Sequence, residues 1–260
     1  MTLTMAWVRV VGNTEELVVA SDSRLGGGHR WDVAPKIVPL SRDDSVLAFA
    51  GATDLAYPII LQMANAVDSY DRSATRLLSL TELKGHLVRV ANDMLRQETS
   101  FPSNGRQPPD VVLLLAGYCW KYGGFRIWTI QFDQSIGKFT HQLTPNWRGR
   151  SNQVKRLAIV GNHQKEAKDE LIARLKTKGK MSNGGFDMEP LDVLLGMIDN
   201  PKFGAIGGNP QLVKIYKSLK TVPFVINRNG TRSLFGRSLL DYEAPDRFPI
   251  LTLGGIKVER

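Results

Sequence analysis

A threonine stands second in this chain, directly behind Met1. Methionine aminopeptidases remove an initiator Met when the next side chain is small, so the mature chain is expected to begin at Thr2. That one cleavage puts a hydroxyl and a free α-amine on the same residue. An α-amine titrates at about 7.7–8.0 in short peptides, so it can accept the hydroxyl proton while the oxygen attacks a carbonyl carbon. Thr4 carries a second hydroxyl on the same strand face, but no evident processing step frees its amine. Other reactive side chains are dispersed. The single Cys119 lies in the apolar run Val111–Trp120 and is expected to be reduced and buried, which excludes a disulfide scaffold and a cysteine-rich zinc site. The four His, at 29, 86, 141 and 163, form no i, i+4 pair, and no metal or organic cofactor is expected.

A nucleophile at a chain start needs a rigid element behind it, and the pattern supplies one. T-L-T-M-A-W-V-R-V reads as a strand, because bulky and β-branched residues persist without a helical period. Gly12-Asn13 turns it, and Leu17–Ser21 returns as a second strand. Val33–Leu40 and Ser45–Ala50 read as a third and fourth. After Gly51 the period changes. Leu55, Ile59, Ile60, Met63 and Val67 mark one helix, and Leu80, Leu83, Leu87, Val90 and Met94 another.

Strands follow at Val111–Trp120, Phe125–Phe132, Lys138–Thr144 and Leu157–Val160, then helices at Gln164–Lys178 and Pro190–Met197. Strands at Gln211–Tyr216, Phe224–Asn227 and Pro249–Leu253 close the chain, with Asn229-Gly230 as a hairpin turn. Several strands are apolar on consecutive residues, so both faces need cover. The expected class is α+β, a four-layer α-β-β-α sandwich over residues 1–260 as a single domain.

Composition narrows the function classes. The longest apolar stretch has ten residues, about half of what a bilayer-spanning helix needs. Arg9, Glu15 and Glu16 stand where a signal peptide carries its apolar core, so a soluble, cytoplasmic protein without membrane contact is expected. The net charge of +9 comes from residues 111–260, with 23 basic against 12 acidic side chains. Its densest part, 148–180, includes Arg148, Arg150, Lys155 and Arg156. This segment could bind a polyanion, but much of it reads as the solvated face of a helix, and no aromatic residues interleave for base stacking. Nucleic acid is not the favoured partner.

Three segments carry a family likeness: Ala20-Ser21-Asp22-Ser23-Arg24 ending the second strand, Ala34-Pro35-Lys36-Ile37-Val38 in the third, and Phe49-Ala50-Gly51 joining the fourth to a helix. With the opening strand they resemble the proteasome β-subunits and their bacterial relatives among the N-terminal nucleophile hydrolases. Ile206-Gly207-Gly208 before a late strand follows the same order.

The resemblance implies Thr2 as nucleophile with its own amine as base. Lys36 stands beside the hydroxyl, Asp22 holds that ammonium, and the Gly51 N–H receives the oxyanion. It also implies a homo-oligomer, a ring or related assembly with inward-facing sites, acting on peptide or other amide substrates. Nothing in the residues speaks for or against an ATP-driven partner. Three positions depart from the family pattern. Asn162 stands where a Ser commonly supports the amine, and Phe203 and Ile206 stand where an Asp and a Ser are common. Asn162 is the auxiliary candidate. His163 tempts as a base but is expected to cap a helix or lie on the surface. The reading is a threonine-type amidohydrolase. A catalytically silent assembly protein and an anion-binding module are the competing classes.

Overall fold

The computed structural model describes residues 2–26, 29–99, 108–147, 156–181, 185–254 and 257–259. The chain opens with the hairpin β1 (Leu3–Val11) and β2 (Thr14–Ser21), followed by the short β3 (Ile37–Pro39) and β4 (Ser45–Gly51). Helices α1 (Thr53–Asp68), α2 (Asp71–Ala74) and α3 (Leu80–Gln97) come next. A second run of strands is β5 (Val111–Cys119), β6 (Gly124–Asp133), β7 (Lys138–Leu143) and β8 (Leu157–Gly161), before α4 (Gln164–Thr177) and α5 (Glu189–Asp199). The remainder is β9 (Gln211–Tyr216), β10 (Lys220–Pro223), β11 (Val225–Arg228), β12 (Thr231–Leu234), β13 (Arg237–Ser238), β14 (Ile250–Leu253) and β15 (Lys257–Glu259).

These strands make three sheets, ordered β10-β9-β2-β1-β8, β3-β4-β5-β6-β7 and β13-β12-β11-β14-β15. Pairing is antiparallel throughout except for the parallel β11–β14. The class is α+β. Apolar residues sort into three clusters. Leu3, Met5 and Trp7 of β1 pack with Leu171, Leu175, Leu191 and Leu194 of α4 and α5. Ala6 and Val8, from the opposite face of the same strand, pack with Val46, Ala48, Leu114 and Ile127 of the second sheet. Leu47, Phe49 and Leu113 on that sheet's other face pack with Ile60, Met63, Leu83 and Leu87 of α1 and α3. This explains why β1 and β5 are apolar on consecutive residues, because a strand covered on both faces has no solvent side to alternate with.

The structure departs from the sequence reading in places. The expected strand 33–40 pairs only over Ile37–Pro39. Ahead of that, Pro35 has no N–H, the Ala34 N–H donates to Ser23 O, and the Lys36 N–H donates to Gln211 Oε1, so these donors are withdrawn from a ladder. The short α2 and the strands β10, β12, β13 and β15 lacked a legible period. Asn229-Gly230 turns β11 into β12 with φ of 51° and 80°, as a primed turn requires. Cys119 is free and buried. No helix among the described residues is long and apolar enough to cross a membrane.

Candidate active site

At one end of the β1–β2 hairpin, the chain leaves the apolar core for a pocket of buried polar groups. β1 begins beside the end of β2, because the antiparallel register pairs Thr4 with Ser21. That register sets Thr2 next to Asp22, and both are fully buried. Asp22 Oδ1 accepts from the Leu3 N–H at 3.0 Å and from Lys36 Nζ at 2.8 Å. Two donors on one oxygen fix the lysine head against the peptide that joins Thr2 to Leu3. Asp22 Oδ2 accepts from the N–H groups of Arg24 and Gly207 at 3.1 and 3.0 Å. The carboxylate is thus held by four donors.

Lys36 is also fully buried, and Nζ makes a further 2.6 Å hydrogen bond to Arg24 O. Burial pulls the Lys36 ammonium below its ordinary range, with Asp22 and Asp32 opposing and Arg24 adding to the fall. Asp22 and Arg24 are not a surface pair, since Arg24 forks onto Asp32 at 2.7 and 2.9 Å. Lys36 is no solvated lysine.

Asn162 holds Thr2 from the other side. Its Oδ1 accepts from the Thr2 nitrogen at 2.9 Å, and its own N–H donates to Thr2 O at 2.6 Å. β8 therefore carries β1 to its first residue. The close approach requires Gly161, because a Cβ there would lie 2.1 Å from Thr2 O. Thr4 is spent elsewhere, with Oγ1 at 2.8 Å from Ser21 Oγ inside the core.

Gly51 does not open a helix. It is the last residue of β4, at φ 110°, and α1 starts at Thr53. Gly51 and Asn162 nevertheless line one cavity of about 600 Å³, together with Gly26, Gly161 and Gln164. Thr2 itself is not part of that lining. His163 is not a side-chain cap. It stands at the N-cap of α4 in the left-handed region with no capping hydrogen bond, and its ring packs on Phe203 at 5.0 Å. Ile206 is buried in the apolar cluster under α5.

One member of the site escaped the sequence reading. Gln211, 1% exposed at the first position of β9, reaches Lys36, Asp22, Ser23 and Ala34 at once. Its only signal was a polar residue opening the strand Q-L-V-K-I-Y.

The basic segment reads differently in three dimensions. Arg148, Arg150 and Lys155 lie outside the described residues. Arg156 donates to Asn146 Oδ1 and Phe125 O, and Lys180 pairs with the buried Glu189. Among the described residues, no three His, Cys, Asp or Glu side chains converge as a metal set. The buried groups gathered here are a carboxylate, a lysine ammonium that burial holds below its ordinary range, and a hydroxyl residue held by its main chain. No protein-family model matches this chain, and no curated protein matches it.

Proposed function

We propose that this chain is a threonine-type N-terminal nucleophile hydrolase of proteasome-like fold, cleaving amide bonds, peptides foremost, through Thr2 once Met1 is removed. The observation that carries the reading is the fully buried Asp22–Lys36 pair fixed against the Thr2–Leu3 peptide. A buried ion pair is costly to desolvate and gives little net stability, so its place beside a terminal hydroxyl residue argues for chemistry. The three apolar clusters support a four-layer α-β-β-α arrangement of a single domain. A homo-oligomer with enclosed sites follows from the family resemblance.

In this reading the freed Thr2 amine, already aligned on Asn162 Oδ1, takes the Oγ1 proton, and Lys36 lowers the proton affinity of both groups. Oγ1 bonds to the substrate carbonyl carbon, and the oxyanion accepts from the Gly51 N–H. The C–N bond then breaks and the leaving amine carries off the proton. Water hydrolyses the Thr2 ester, releasing the acid and restoring the hydroxyl.

One observation favours the silent-assembly reading instead: Thr2 has no solvent-exposed surface in the chain that carries Met1. The test separates the two. Intact mass of the native protein is expected to show loss of Met1, and an electrophilic β-lactone is expected to add to Thr2 and not to Thr2→Ala. Retained Met1 sinks the mechanism. A processed chain with neither adduct nor peptide turnover establishes the silent protein.

A further inference from the structure

We infer that Gln211 is a positioning residue of this site, a buried amide that sets Lys36 against Asp22, and that the turn between β12 and β13 locks it in place. The inference rests on the hydrolase reading above and adds a part to it.

The geometry is a strut with four ends. Gln211 Oε1 accepts from the Lys36 N–H at 2.9 Å. Its Nε2 lies within hydrogen-bond distance of Ala34 O at 2.7 Å, Ser23 Oγ at 2.8 Å and Asp22 O at 3.1 Å. The acidic partner enters from the end of β2 and the basic partner from the approach to β3. A backbone bond from the Ala34 N–H to Ser23 O joins the two segments, and Lys36 itself precedes the β3 ladder, which begins at Ile37. One side chain from β9 braces both segments beside that bond. An amide suits that task, since it accepts at one atom and donates at the other without adding charge beside a buried ion pair.

The lock comes from the far end of the chain. Ser23 Oγ donates to Asn209 O at 2.5 Å, and Asn209 Nδ2 donates to Gly236 O at 3.1 Å. Gly236 lies so close that a Cβ would stand 2.0 Å from Ser23 Oγ and 3.3 Å from Gln211 Nε2. Its φ of 86° also favours glycine. Turn, serine and glutamine are thus stacked without space between them. The charged groups around the lysine head are Asp22, Arg24 and Asp32.

The test uses the full-length, Met1-processed protein and two readouts: the pH titration of Lys36 followed at Cε by ¹³C NMR, and the rate of β-lactone addition to Thr2. Gln211→Glu keeps the acceptor toward the Lys36 N–H, loses the donations and places a negative charge beside the pair. The Lys36 midpoint is expected to move upward, and addition to slow on the order of tenfold or more, because small displacements of a catalytic group cost rate steeply. Gly236→Ala, which retains every polar side chain, is expected to slow addition in the same direction. It serves where Gln211→Glu fails to fold. Gln211→Met is expected to slow addition without the upward midpoint shift, which separates loss of the strut from added charge. An unchanged Lys36 midpoint and addition rate in folded Gln211→Glu, or wild-type addition in Gly236→Ala, overturns the inference. A wild-type protein that adds no β-lactone overturns the hydrolase reading instead. The Lys36 titration then decides the strut alone, since it reads position without requiring reaction.

Discussion

Two ion pairs in this protein are buried to the same degree, Asp22–Lys36 and Asp44–Arg42, each with side chains 0% exposed. The two cations stand six positions apart in the chain, yet the pairs are built differently. Arg42 forks onto both oxygens of Asp44 at 2.7 and 2.9 Å and donates to Leu78 O, while Ser45 Oγ bonds the same carboxylate. Its partner is two residues away, and the result ties the β3–β4 turn to the start of α3. A guanidinium cannot give up its proton, so this pair can only hold. Lys36 reaches back fourteen residues to Asp22 with a single point contact, and burial lowers its proton affinity. Burial of charge is therefore no mark of a reactive site by itself. In the proposed mechanism Lys36 differs by its place, since its charge stands against the Thr2–Leu3 peptide and lowers the proton affinity of the hydroxyl and the amine.

That contrast can be broken in graded steps. The largest expected effect is on Lys36→Met: β-lactone addition to Thr2, measured by intact mass against time, falls about 10²–10⁴-fold. Asp22 keeps three backbone donors but loses its buried counter-charge, so the rate is read per folded molecule. Arg42→Met is expected to do the reverse. It leaves Asp44 buried without its partner and costs about 3–5 kcal/mol in denaturant unfolding, with unchanged addition per folded molecule. A loss of reactivity there at full folding collapses the distinction.

Arg42→Lys tests the fork: the charge stays, the second contact goes, and about 1.5–3 kcal/mol is lost. The smallest effect belongs to the helix that Arg42 braces. Ser79 caps α3 in a reciprocal box with Glu82, and Ser79→Ala is expected to cost about 1 kcal/mol of thermal stability.

The two regions share the sign of their pH dependence, since both pKa values are lowered on folding, but differ in its window. Ser79 holds the Glu82 carboxyl down to about 2. Its stabilisation is full above the ordinary carboxylate value of 4.5 and lost as pH falls toward 2. Lys36 works at the alkaline side. With its folded pKa below the ordinary 10.5, the unfolded chain binds more protons in that window. Stability contributed at Lys36 therefore rises as pH rises toward 10.5, and Lys36→Met is expected to flatten that limb in urea melts taken across it.

Much of this was legible in the residues. The apolar runs of β1 and β5 announced strands covered on both faces, and the 3–4 residue spacing in α1, α3 and α4 gave the helices. Asn162 bonds the Thr2 main chain, Asp22 bonds the Leu3 N–H and Lys36 reaches Asp22, each from a residue flanking a strand, although Lys36 was read inside a strand that begins only at Ile37. What resisted reading was non-local. Gln211 opens a strand that also carries Lys214, and its four partners lie 175 to 189 positions away. Gly161 is required only by where Thr2 O comes to rest. The late hairpins are built from short segments such as Arg237–Ser238, too brief to show a period. Gly51 was assigned to a helix start because a glycine before a periodic run looks like one. The strand in fact runs through it.

The β12–β13 turn pressed against Ser23 has a consequence in biosynthesis. Asp22 and Lys36 leave the ribosome early, but Gln211 emerges 189 residues after Asp22, and Gly236 later still. At about 5–20 residues per second, that interval is roughly 10–40 s. Throughout it the lysine has no strut and the carboxylate lacks the Gly207 donor, so the nascent chain carries the parts of the site without the assembled site. Its completion waits for Gln211 and Gly236, and a chain truncated before them is left without it.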